Sequence, residues 1–142
     1  MEELLELKKL IYKQDFQNAL LLIDEIEEMS KEDKINKIYS YCIVLLVHLI
    51  KQSAEMRSTK SWQVSIDLAV DRIQRTNKRR KAGGTYIDIP EIKEILGQAY
   101  RIAMKEASLE AFGGVYESET LAGMVNSAVI IDHAISLIQN YN

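Results

Sequence analysis

The sequence predicts an all-α, single-domain bundle of about five or six helices around one long central helix. Apolar residues recur at spacings of three and four along nearly the whole chain, the period of a helix with one face turned inward. The breakers are few: one proline and six glycines in 142 residues. Only residues 79–88, which contain Gly83, Gly84 and then Thr85-Tyr86-Ile87, read as loop or short extended chain.

The elements follow in order. Leu4, Leu7 and Ile11 mark a short first helix. Asp15 is placed to cap the next, whose stripe is Phe16, Ala19, Leu20, Ile23 and Ile26. Ser30 with Asp33 resembles a capping box. A long helix is expected over residues 31–55, either separate from the preceding helix or continuous with it through Met29 and Ser30. Its seam is Ile35, Ile38, Cys42, Leu45, Leu49 and Gln52, the alternation of a helix packed along a neighbour. After a polar break, Ser61 is expected to cap a helix carrying Trp62, Ile66, Ala69 and Ile73. Pro90, two residues after Asp88, fits a first helical turn. The helix it opens should run to about Phe112 and stop at Gly113 and Gly114. Short helices near 118–125 and 127–140 complete the chain.

Composition bounds the functional classes. The chain is 47% hydrophobic and 27% charged, ordinary for a globular domain. Its single cysteine, Cys42, allows no internal disulfide and suits a reducing cytoplasm. The acidic N-terminus lacks the basic start of a signal peptide. The longest apolar run, 42–47, is far below the roughly 20 residues that span a bilayer. A cytoplasmic protein with no membrane contact is expected. Charge is segregated: residues 1–33 net −6, residues 34–81 net +8, and the remainder nets −5. Such blocks allow internal pairing or a partner of either sign.

One ordered set of residues resembles a known bacterial family. An acidic stretch, Asp24-Glu25-Ile26-Glu27-Glu28-Met29-Ser30-Lys31, leads into Leu45-Leu46-Val47-His48-Leu49-Ile50-Lys51 and then Arg57-Ser58-Thr59-Lys60-Ser61-Trp62. Over residues 15–75 this is similar to the family catalogued as domain of unknown function 29. The resemblance implies an all-α fold of this length and no activity. Two features depart from the family pattern: Gln52 follows Lys51 where an aromatic is common, and residues 78–84 are basic and glycine-containing.

Candidate sites were weighed against plain structural readings. No Glu-x-x-His occurs, and His48 lies about 27 Å along a helix from Ser30, away from Glu25 and Glu28. Neither a metal nor a cofactor is expected. His48 reads as a neutral histidine at a core edge, hydrogen-bonded to a neighbouring helix. Cys42 reads as an inert core thiol, and no catalytic triad is visible. Two features remain. The corner Arg57, Ser58, Lys60, Ser61 and Trp62, with His48 on the preceding helix, combines cations, hydroxyls and a helix N-terminus, which suits an anion or a partner's carboxylate. The preferred structural reading is that Ser61 caps the helix, Trp62 anchors the corner in the core, and Arg57 pairs with an acid such as Glu28 or Glu55. The basic patch Arg72, Arg75, Lys78, Arg79, Arg80 and Lys81 has no acid inside residues 72–81 and could meet phosphates or a protein.

Three functions stay open. The leading one is a non-enzymatic protein-binding or adaptor module, with a protein partner or a homodimer. The second is a nucleic-acid-associated protein using residues 72–81, less favoured because the chain is acidic and Tyr86 is the only aromatic nearby. The third is an enzyme or binder of a small anion at residues 57–62.

Overall fold

The computed structural model describes residues 2–79 and 81–140. Six α-helices and one 3-10 turn account for them, with no strand among the described residues. The helices are α1 (Glu2–Tyr12), α2 (Phe16–Glu55), α3 (Lys60–Asn77), α4 (Ile89–Glu110), α5 (Ser118–Ala122) and α6 (Ser127–Asn140). The fold is the all-α bundle with a long helix that the sequence predicts. The chain divides into two compact units, Met1–Ile35 and Asn36–Asn142, and α2 contributes to both.

In the N-terminal unit, α1 closes through a Schellman-type turn. Asp15 N–H donates to Leu10 O and Gln14 N–H to Ile11 O, with Gln14 left-handed at φ 61°. Asp15 then caps α2, its Oδ1 accepting from Asn18 N–H at 3.4 Å and its Oδ2 from Asn18 Nδ2 at 2.8 Å. Helix α2 runs 40 residues, so the two segments are continuous through Met29 and Ser30, the question the sequence left open, and Ser30 is an exposed interior position. The reason is local. No glycine or proline interrupts residues 16–55, and acid-before-base pairs four apart, Glu27 with Lys31 and Asp33 with Lys37, favour helix across the junction.

The core belongs to the C-terminal unit. Ile38, Cys42, Leu45, Leu46, Leu49 and Ile50 of α2 are buried with Ile66, Val70 and Ile73 of α3. Ile92, Leu96, Ala99, Ala103 and Ala107 of α4 and Ile130, Ala134 and Ile138 of α6 complete it. The alanine stripe on α4 lets backbones approach closely, and α4 packs against both α5 and α6. Gln74 Nε2 donates to Ile138 O at 2.6 Å, fastening α3 to α6. Burial pushes the Cys42 thiol up to about 12, so it stays protonated and unreactive.

The loop between α3 and α4 is held by two side chains and by backbone bonds: Thr85 Oγ1 donates to Ile87 O at 2.8 Å, Arg79 N–H to Gly84 O at 3.0 Å and Tyr86 N–H to Asn77 O at 2.9 Å. Buried Asn77 donates from Nδ2 to Ile87 O at 3.0 Å and accepts from Ile87 N–H at 2.9 Å. The extended character expected at 85–87 reduces to an isolated bridge between Lys78 and Thr85. Asp88 and Glu91 form a full capping box at the start of α4, with Pro90 in its first turn. Helix α4 ends at Glu110, two residues earlier than expected, because Phe112, Gly113 and Gly114 all take positive φ in the turn Ala111–Gly114.

Candidate functional site

The corner at residues 57–62 joins the C-terminal end of α2 to the start of α3. Met56, left-handed at φ 54°, terminates α2, and Arg57 N–H reaches back to Gln52 O at 3.3 Å. Thr59 is the N-cap of α3, its Oγ1 accepting from Trp62 N–H at 3.1 Å. The expected cap, Ser61, is instead an exposed residue of the first turn. The helix starts two residues earlier than anticipated because Thr59, not Ser61, holds the extended backbone a cap requires. Ser58 Oγ accepts from Gln52 Nε2 at 2.7 Å. Lys60 is exposed at the helix start.

Trp62, half-buried, organises the charges around it. Lys51 Nζ lies 4.6 Å from its ring centroid and Arg57 Cζ lies 4.8 Å from it, both suitable for cation–π attraction. Each cation also has a carboxylate. Lys51 Nζ is 3.0 Å from Glu110 Oε1 at the end of α4, and Arg57 Nε is 2.9 Å from Glu55 Oε1. Glu55 Oε2 accepts from Phe112 N–H at 3.1 Å, which fixes the turn after α4. Two cations and two carboxylates therefore close into one neutral network tying together α2, α3 and α4. Lys51 is its buried member, with 4% of its side chain exposed against 52% for Glu110.

The protonation states follow from these contacts. Burial pushes the Glu55 carboxyl up, but the Phe112 N–H and the Arg57 guanidinium outweigh it, and Glu55 sits below its ordinary value. His48, one turn before Lys51, is lowered by burial first and by the Lys51 charge second, with Glu110 opposing, so it is held neutral. The hydrogen bond expected of His48 is not made through Nδ1: that buried atom has no partner among the described residues.

This geometry bears on the anion reading. Arg57, the obvious anion ligand, is already engaged by Glu55, and Trp62 N–H is engaged by Thr59. The corner works as a latch between three helix ends. Sequence reasoning named Arg57, Trp62 and, as one of two candidate acids for Arg57, Glu55, but missed the buried role of Lys51 and the contributions of Glu110 and Phe112. Glu110 lies 59 residues from Lys51, and no local spacing could connect them. For Lys51 a signal existed: it follows Val47 by four residues on an inward-facing stripe, an unusual place for a lysine.

The basic patch is distributed rather than gathered. Arg72 is exposed on α3, and Arg75 Nε pairs with Asp71 Oδ2 at 3.0 Å one turn away. Lys78 is exposed at the end of α3, where cations suit the helix dipole. Arg79 Cζ lies 5.6 Å from the Tyr86 ring centroid, and Lys81 is exposed in the turn. Arg80 lies outside the described residues. Among the described residues no three His, Cys, Asp or Glu side chains gather as a metal-holding group, and no helix is long and apolar enough to cross a membrane.

Comparison with known proteins adds one match. The model of the family described as Domain of unknown function DUF29 covers residues 4–119 of the chain. No curated protein and no solved structure matches it.

Proposed function

The chain belongs to the domain of unknown function 29 family, and from that premise, which supplies no activity, we propose that it is a non-enzymatic protein-binding module acting through its N-terminal helical hairpin. The observation that carries this is the unburied apolar surface of α1 and the first half of α2. Helix α1 is amphipathic yet has no buried residue. Leu4, Leu5, Ile11 and Tyr12 on α1 and Phe16, Leu20, Leu21 and Met29 on α2 are all exposed. Of the nineteen exposed large apolar side chains among the described residues, these eight fall within a unit of 35 residues. An isolated helix of 11 residues is marginal in water without a face to bury. Concentrated apolar exposure of this kind marks interaction surfaces.

Charge narrows the partner. Residues 1–33 net −6, so pairing this hairpin with its own copy would set like charges together. A different protein, offering an apolar groove rimmed by lysine or arginine, satisfies both the stripe and its acidic flanks by the helix-in-groove mode.

Photo-crosslinking in the native cell tests this. A crosslinking amino acid at Tyr12 or Leu20 should trap one identifiable protein, and the same residue at Leu109 should not. The purified pair should then form an equimolar complex that weakens with salt and is abolished by Leu20→Asp. Crosslinks only to a second copy of the chain, or none from either position, would overturn the proposal.

A further inference from the structure

A second surface feature lies in the C-terminal unit, between α4 and α5. An open groove of about 500 Å³ is lined by Tyr100, Arg101, Met104, Lys105, Ser118, Glu119 and Ala122. That volume falls in the range of small-molecule sites. The α4 wall is one continuous helical face, because positions 100, 101, 104 and 105 project together.

The charges on the two walls are the informative part. Arg101 and Lys105 are like charges four apart on a helix, an arrangement that costs a few tenths of a kcal/mol. Neither has an acid three or four positions away, although α4 carries Glu91, Glu94, Glu106 and Glu110. Among the described residues neither cation makes an ion pair, and Glu119 on the opposite wall makes none either. Two cations and one carboxylate thus line the same groove without satisfying one another. Elsewhere in this unit Lys51, Arg57, Arg75 and Lys93 have carboxylate partners, while Lys60, Arg72, Lys78 and Lys81 are exposed without one among the described residues. What sets Arg101 and Lys105 apart is that they share a groove with a carboxylate that neither pairs with.

The remaining lining completes a recognisable chemistry. Met104, almost fully buried, lies beneath the cations as an apolar surface. Tyr100 is half-buried, and burial raises its phenol above the ordinary value of 10, which keeps the hydroxyl a neutral donor. Ser118 adds a hydroxyl from the α5 wall.

We infer that this groove binds a small amino carboxylate, a molecule carrying a carboxylate and an ammonium group together. Arg101 and Lys105 take the carboxylate, with the Tyr100 hydroxyl donating to it. Glu119 takes the ammonium. Met104 and Ala122 receive the carbon skeleton. A simple anion meets Glu119 as a repulsion and a simple amine meets the two cations, so only a zwitterion satisfies both walls.

The test is chemical-shift titration of the isotope-labelled full-length protein with a panel of α- and ω-amino acids, alongside acetate and alkylamines of matched length. At least one amino acid should give saturable shifts confined to residues 100–105 and 118–122. Singly charged analogues should bind on the order of tenfold more weakly, the loss of one charge-assisted contact. Arg101→Gln and Lys105→Gln should each weaken the amino acid by a similar factor. Glu119→Gln provides the decisive sign: it should weaken the zwitterion while strengthening acetate. All three side chains are exposed, so unchanged spectra elsewhere will establish that the variants fold. The absence of any saturable shift across the panel would overturn the assignment. So would a Glu119→Gln variant that moves both affinities in the same direction.

Discussion

Replacing Glu110 by glutamine should destabilise the protein more than removing the lysine it neutralises. Lys51 has 4% of its side chain exposed, and its ammonium has one carboxylate, Glu110, at 3.0 Å. Breaking a fully buried pair by deleting one partner costs about 3–5 kcal/mol, since the other charge is left without compensation. Glu110 is 52% exposed, so water reaches that side of the pair and the figure must be discounted. The Trp62 ring and the glutamine carbonyl also retain part of the attraction. The expected cost of Glu110→Gln is about 1.5–2.5 kcal/mol. Lys51→Met removes the buried charge itself and keeps a similar volume. It loses a cation–π contact of about 0.5–2 kcal/mol but also the desolvation penalty of the ammonium, leaving a net change within about 1 kcal/mol of zero.

The double variant completes the cycle. With methionine at 51, Glu110→Gln should be nearly neutral, giving a coupling of about 1–2 kcal/mol. Urea unfolding followed by Trp62 fluorescence is the suitable assay, because the only tryptophan in the chain lies 4.6 Å from the ammonium. Circular dichroism on the same samples reports the helices as a whole. The reasoning fails if Glu110→Gln stays within about 0.5 kcal/mol of the wild type while Lys51→Met loses more than about 2 kcal/mol. That pattern would mean that the lysine stem and the ring, not the ion pair, hold the three helix ends together.

Three further outcomes are expected. His48 has a lowered folded value, so the unfolded chain takes up its proton first; stability should be complete above the ordinary 6.5 and decline as pH falls below it. His48→Gln should flatten that decline when urea midpoints are compared at about pH 8 and pH 5.5. Asn77→Ala leaves the buried N–H of Ile87 without a partner, while its C=O keeps the Thr85 hydroxyl, and should cost about 1–3 kcal/mol, with amide exchange rising first at residues 77–87. Gly114 has φ 80°, and an added Cβ would fall 2.8 Å from Leu109 O; Gly114→Ala should therefore cost about 1–3 kcal/mol by thermal unfolding.

The core and the fold class were legible because both rest on spacing. Of the expected seam residues Ile38, Cys42, Leu45 and Leu49 are buried and Ile35 and Gln52 half-buried, while Ile66, Ala69 and Ile73 on α3 are buried. Boundaries were legible only where one side chain decides them. Asp88 with Glu91 gives a capping box by itself, whereas Thr59, Lys60 and Ser61 offer two hydroxyl caps, and only the backbone angles choose between them. Ser30 left continuity undecided because capping chemistry is permissive: the same Ser-x-x-Asp sequence sits inside a helix when nothing forces the chain to leave it. The latch was half legible. Lys51, Arg57 and Trp62 lie within twelve residues, but the carboxylate that neutralises Lys51 comes from the far end of α4. The groove was not legible, since its walls meet only when α5 folds back on α4.

The way the family resemblance is distributed over the structure separates folding from binding. Of the residues that carry it, Leu45, Leu46, Leu49 and Ile50 are core, and Lys51, Arg57 and Trp62 are latch, while the acidic stretch 24–31 lies mostly exposed in the N-terminal unit. The polar groups of the latch are turned toward one another, leaving little for a ligand to engage. The core and latch part of such a signature identifies a fold, and the absence of a catalytic pattern within it says nothing against binding at other places. The exposed apolar hairpin of α1 and α2 and the unpaired charges of Arg101, Lys105 and Glu119 lie apart from the latch residues in sequence. They share one physical property that the latch lacks: each exposes groups that the chain itself leaves unsatisfied. Apolar side chains without cover and cations without carboxylates both raise the free energy of the unbound molecule, and both are relieved by a partner of the right chemistry. Substitutions in the latch should therefore change stability and leave binding intact once the protein is folded, whereas Leu20→Asp or Lys105→Gln should change binding at nearly unchanged stability.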